Sequence, residues 1–149
     1  MIKQYVFRLE PVLKLRKLKE ENCRTELGQL LMELNKIEDQ LIHDKNQIEN
    51  YYKIQDDALQ KGVKGGQVQA FPMLIEGKSR NIKLLERDRE KQEKLVAQKK
   101  QELAILKGEM KVMENLKQKY FDEHRLAANK EMDKKIEEQT QLWLEHKEK

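Results

Sequence analysis

The side chains that could do chemistry in this sequence are few and stand far from one another. His43, His124 and His146 are widely separated, and none has a second His or Cys at the short interval that lets a helix or loop close on a metal ion. Carboxylate pairs such as Glu137 and Glu138 occur, but acid–base catalysis needs a pKa moved by desolvation in a cleft, and a charged helix face leaves both groups solvated. Gly62, Gly65 and Gly66 lack the Gly-Lys-Ser/Thr ending that would set a lysine and a magnesium-binding hydroxyl on a nucleotide. The single cysteine, Cys23, cannot close an intrachain disulfide; its place on the apolar seam described below predicts a small buried hydrophobe rather than a reactive thiol. The expectation is a chain that is not an enzyme, with no catalytic, cofactor or metal site.

One charged stretch calls for separate weighing. Residues 1–60 hold 10 Lys+Arg against 11 Asp+Glu, residues 61–100 hold 11 against 5, and residues 101–149 hold 10 against 11, so the net charge of +4 belongs to the middle. Lys78, Arg80, Lys83, Arg87, Arg89, Lys91, Lys94, Lys99 and Lys100 make up most of this excess. A positive run can bind nucleic acid or acidic lipid. Here Glu86, Asp88, Glu90 and Glu93 are interleaved at ion-pairing intervals, and no aromatic residue stands nearby to stack on bases. An acidic protein surface suits the run better than nucleic acid.

The elements that carry these residues follow from apolar spacing. With 39% charged and 5% aromatic residues in 149, the chain has too little material for a thick core, yet Leu, Ile, Val and Met recur at regular intervals, which separates it from disordered sequences. Four of six glycines and one of two prolines fall in Gly62–Gly77, the one credible interruption of a helix. Helix 1 is predicted over about 11–60, opened by Glu10-Pro11. A turn follows at about 61–73, and helix 2 over about 74–146. In helix 1, Val6, Leu13, Glu20, Leu27, Leu34, Leu41, Ile48 and Gln55 form one heptad line, and Leu9, Arg16, Cys23, Leu30, Ile37, Asp44, Tyr51 and Ala58 the other. Helix 2 repeats the pattern from Ile75 to His124 and from Lys78 to Ala127, with polar lapses at Arg89, Gln92 and Lys99 that predict a loosened seam. Leu103 to Met113 should be its tightest part.

The fold class predicted is all-α: two long helices in an antiparallel coiled-coil hairpin, a single domain over 1–149. At 1.5 Å per residue the helices would be about 70 and about 105 Å long. The second therefore overhangs the first by its last 20 to 25 residues (roughly), carrying Met132, Ile136, Leu142, Trp143 and Leu144, and an apolar stripe on an unpaired helix needs another surface to cover it. The longest apolar runs fall far short of the roughly 20 residues that span a bilayer, and Met1–Phe7 lacks the apolar block of a signal peptide, so a cytoplasmic protein is expected.

At Phe7-Arg8-Leu9-Glu10-Pro11-Val12-Leu13-Lys14-Leu15-Arg16, continuing into Lys17-Leu18-Lys19-Glu20-Glu21, the chain resembles the opening of the FliJ family, whose members begin with a Phe-basic-Leu-Glu block and a Leu-x-x-Arg-x-x-x-Glu run. Length, the mid-chain break and the charged stretch Lys130–Glu138 extend the resemblance over nearly the whole chain, the N-terminal block being its specific part. The resemblance implies a component of the flagellar type III export apparatus, peripherally associated with the inner membrane at the flagellar base and similar to the central stalk of a rotary ATPase; the hairpin itself predicts a monomer when free. Its implied partners are the hexameric export ATPase (FliI), whose assembly and hydrolysis it would promote, the export gate protein (FlhA), and export chaperones that it would escort. Carried to matching positions, the ATPase contact falls on Phe7, Leu9, Leu13 and Arg16 and on Met132, Ile136 and Trp143, Leu9 and Leu13 being equally well read as seam residues. The gate contact falls on Phe71, Leu74, Asn81 and Leu85. Lys78 departs from an apolar family pattern there and offers an electrostatic contact instead.

Other readings stay open on the residues alone. A generic coiled-coil spacer or dimerisation protein would be a stable dimer where a hairpin is a monomer. A nucleic-acid binder would lose affinity steeply with salt. The stalk of a virulence-type III secretion system differs little in pattern, and the Phe7–Arg16 block favours the flagellar one.

Overall fold

A long charged sequence with one apolar residue every three or four positions can bury that stripe only against another helix of the same kind. The computed structural model, which describes residues 4–62 and 69–148, contains two such helices paired antiparallel as a hairpin. Helix α1 runs Glu10–Gln60 over 51 residues and α2 runs Ala70–Glu148 over 79. No strand occurs among the described residues.

Local chemistry sets the ends. The Leu13 N–H donates to the Leu9 carbonyl at 3.0 Å and the Glu10 N–H to the Phe7 carbonyl at 3.1 Å, while Pro11 lies in the first turn, where a missing N–H removes no helical bond. Glu10 brings an acidic group to the positive end of the helix. At the other end Gly62 adopts φ 70°, the left-handed conformation that closes helices at little steric cost for glycine, and its N–H donates to the Leu59 carbonyl at 3.3 Å. Gly65 and Gly66, on which the predicted turn also drew, lie outside the described residues. Helix α2 begins at Ala70 rather than near 74, because Pro72 falls within the first turn and interrupts nothing.

The heptad lines hold along most of both helices. Every predicted seam position of α1 from Leu13 to Ala58 is buried or half-buried, and in α2 the same is true from Ile75 to Ala127 except at Tyr120 and Ala127. The prediction fails at the first member of each line: Val6 is 78% and Leu9 38% exposed, whereas Phe7 is 6% exposed. Residues before Glu10 are not helical, so a helical period cannot be extended through them, and alternate residues share a side instead.

The chain divides into two compact units, Met1–Glu21 with Ala104–Lys149, and Asn22–Leu103. In the first, Phe7, Leu13 and Met113 form a buried cluster flanked by Tyr5, Met110 and Leu116. In the second, the interior is a seam in which apolar residues such as Leu41 and Val96 alternate with the buried polar groups Asp44 and Gln92. The polar lapses do not loosen this seam. Gln92 donates to the Leu30 carbonyl at 3.0 Å and to Glu33 at 3.3 Å, and Lys99 pairs with Glu26 at 2.7 Å and Glu102 at 3.0 Å.

Candidate functional site

From Asn129 to Lys147 every residue of α2 is exposed. Nothing in α1 remains to cover this segment, so its side chains are free to meet another molecule. Met132, Ile136 and Trp143 are separated by one and then about two turns and share one face of the helix. They are 48%, 57% and 60% exposed, with Leu142 and Leu144 beside them. The Lys147 ammonium lies 4.9 Å from the centre of the Trp143 ring, close enough for a cation–π contact that steadies the indole against the helix. The Thr140 hydroxyl donates to the Ile136 carbonyl at 2.8 Å, so its polar atom turns back to the backbone.

Within the same unit the N-terminal residues form a strap against α2. The Tyr5 hydroxyl donates to the Lys117 carbonyl at 3.1 Å, its ring meets Phe121 edge-on at 5.4 Å and stands 5.6 Å from the His124 ring, and Phe7 lies 6.2 Å from Tyr120. A hollow of about 900 Å³ opens beside it, lined by Val6, Phe7, Leu9, Tyr120, Glu123 and His124. Glu10 pairs with Lys117 at 2.9 Å, and the hydrogen bond from that ammonium pulls the Glu10 carboxyl below its ordinary value of 4.5, against a smaller opposing effect of desolvation. The Arg16 guanidinium donates to the Glu109 carbonyl at 3.1 Å.

The residues assigned to an ATPase contact thus fall into two kinds. Leu9, Met132, Ile136 and Trp143 are exposed; Phe7 and Leu13 are buried, Leu13 being 1% exposed, and Arg16 is half-buried and occupied at a backbone carbonyl. The first kind offers surface, and the second holds the strap and the start of α1 in place. Tyr5 carries no signal in a heptad reading, because its role depends on an extended segment meeting a helix more than a hundred residues later.

In the second unit the residues assigned to a gate contact stand at the start of α2. Phe71 is half-buried with its ring 6.2 Å from Tyr51, Leu74 is 47% exposed, Leu85 is half-buried, and Asn81 is exposed with its amide donating to Asp44 at 3.3 Å. Lys78 is not free for a partner: its ammonium pairs with the fully buried Asp44 carboxylate at 3.3 Å, and Gln40 donates to the same carboxylate at 2.9 Å. Further along, hydrogen bonds to Glu26 and then Glu102 hold the Lys99 ammonium protonated well above the ordinary lysine value. Cys23 is only 3% exposed, its thiol directed at the Lys99 carbonyl at 3.9 Å, which agrees with a structural role.

Among the described residues no group of His, Cys, Asp or Glu is arranged to hold a metal ion, and no helix is long and apolar enough to cross a membrane. Residues 5–148 match the family model described as "Flagellar FliJ protein". No curated protein and no solved structure matches the chain.

Proposed function

From the premise that this chain belongs to the flagellar FliJ protein family, and is therefore a component of the flagellar export apparatus, we propose that it serves the hexameric export ATPase (FliI) as a central stalk. The bare end of α2 enters the ring and presents Met132, Ile136 and Trp143 to it, with Leu9 adding to the contact, and so promotes ring assembly and ATP hydrolysis. A helix that stays ordered without its partner loses little freedom on docking, so a modest apolar stripe can suffice for binding. The start of α2, through Leu74 and the neighbouring Phe71, Asn81 and Leu85, contacts the export gate protein (FlhA) and links the ATPase to it; export chaperones are escorted by the same protein. In this reading the protein is cytoplasmic, peripheral to the inner membrane at the flagellar base, and does no chemistry of its own.

The observation that carries the proposal is the continuous exposure of α2 from Asn129 to Lys147 with one apolar face left uncovered. Mixing the purified chain with the export ATPase of the same organism, and following ATP hydrolysis and ring assembly, tests it. Stimulation by the native chain, lost in an Ile136→Ala, Trp143→Ala variant of unchanged helicity, is the expected result. No change in hydrolysis or assembly on adding the native chain would return the molecule to the class of coiled-coil spacers.

A further inference from the structure

A heptad seam is permissive, because sliding one helix past the other by seven residues brings apolar lines back into contact. Four contacts of the unit Asn22–Leu103 mark a single alignment, and one of them does not share that tolerance. Cys23 meets Lys99, Leu30 meets Gln92, Asp44 meets Lys78 and Tyr51 meets Phe71, and in each case the two residue numbers add to 122. Slipping α2 by one heptad in one direction would carry Leu85 into the place of Lys78 and Asp88 into the place of Asn81. Slipping it in the other would bring Phe71 and Leu74.

Either slip strands Asp44. Its side chain has no exposed surface, and its carboxylate is held by Lys78, Asn81 and Gln40. After one slip it would lie against leucine and a second carboxylate, after the other against two apolar side chains, and a buried charge stripped of its partner is among the costliest defects a fold can carry. Gln92 discriminates far less. A slip would bring its amide to the Ile37 or Cys23 carbonyl in place of that of Leu30, and backbone carbonyls recur at every residue.

We infer that Asp44, with Lys78 and Asn81, is a register catch: a buried polar group placed in the seam to admit one alignment of α2 on α1 and to stop the helices creeping past each other. A stalk that transmits a push or a turn needs such a catch, since a heptad seam returns the same apolar contacts after each slip. That use rests on the stalk reading; the catch itself does not.

Pulsed electron paramagnetic resonance between spin labels at Asn50→Cys and Lys94→Cys, in a Cys23→Ala chain, tests it. Both sites are exposed, and they stand about 20 residues, roughly 30 Å, apart along the seam, so a one-heptad slip moves the distance by about 10 Å. With Asp44 and Lys78 intact a single distance is expected. With Asp44→Leu and Lys78→Leu a second distance, displaced by about 10 Å, should hold at least a tenth of the population. A single unshifted distance in the doubly substituted chain overturns the catch. Should that chain lose its helicity, Asp44→Asn decides: a displaced population supports the inference, and its absence refutes it. If a chain with slipped registers still stimulates the export ATPase fully, the catch stands but its use in a stalk falls.

Discussion

Replacing Lys78 by methionine removes the cation paired with Asp44 while keeping a long apolar stem on the seam. The Asp44 carboxylate, with no exposed surface, would retain only two amide donors, Gln40 at 2.9 Å and Asn81 at 3.3 Å. Breaking a buried ion pair from one side costs roughly 3–5 kcal/mol. The Lys78 side chain is 29% exposed, and solvent there weakens the pair, so about 2–3 kcal/mol is expected. The reverse change, Asp44→Leu, leaves a lysine whose stem can carry its ammonium to water, and should lose less than about 1 kcal/mol. In a chain of this size about 2–4 °C of midpoint corresponds to each kcal/mol. Thermal unfolding followed by circular dichroism at neutral pH should therefore fall by roughly 4–12 °C for Lys78→Met and by under about 4 °C for Asp44→Leu. Equal losses for the two variants, or a loss under about 0.5 kcal/mol for Lys78→Met, would refute the assignment of Asp44 as a buried charge that depends on its partner.

Burial divides the ATPase-contact residues by stability as well. Leu13→Ala, at a site 1% exposed, should cost about 3 kcal/mol in urea unfolding from lost transfer energy and the cavity left behind, whereas Trp143→Ala, at 60% exposure, should cost under about 0.5 kcal/mol; a large loss at Trp143 would mean that the bare helix is covered in solution. Because hydrogen bonding to Lys117 depresses the Glu10 carboxyl in the folded chain, that contact stabilises fully above about 4.5 and fades as pH falls through the depressed value. Carbon-detected titration of Glu10 should give a midpoint below 4.5 that rises in Lys117→Met, and an identical midpoint in both chains would remove the contact.

Much of this architecture could be read along the chain because both of its signals are local. Helical hydrogen bonds join residues four apart, and a coiled-coil seam is a one-dimensional spacing, so the heptad lines, the break after Gly62 and the surplus length of the second helix are all visible from near neighbours. The exposed face of Met132, Ile136 and Trp143 was legible for the same reason, since it follows from counting residues left over once α1 is spent. Where the chain stops being helical the period loses its meaning: the heptad line points to Val6, which stands in solvent, while Tyr5 and Phe7 pack against α2.

Spacing along the chain is therefore enough to specify two unequal helices, one buried stripe on each and a bare apolar end, since it alone decides which face of a helix is apolar. Which residues meet across the seam depends on how the two helices align, and spacing leaves that open. Asp44, Lys78, Gln92 and Lys99 read singly as flaws in the seam; across it, Asp44 and Lys78 satisfy each other, Gln92 meets the facing Leu30 carbonyl and Lys99 the facing Glu26 carboxylate. A heptad returns the same apolar pattern every seven residues and so cannot choose among alignments, whereas a buried carboxylate has one place along the partner helix where its charge is met.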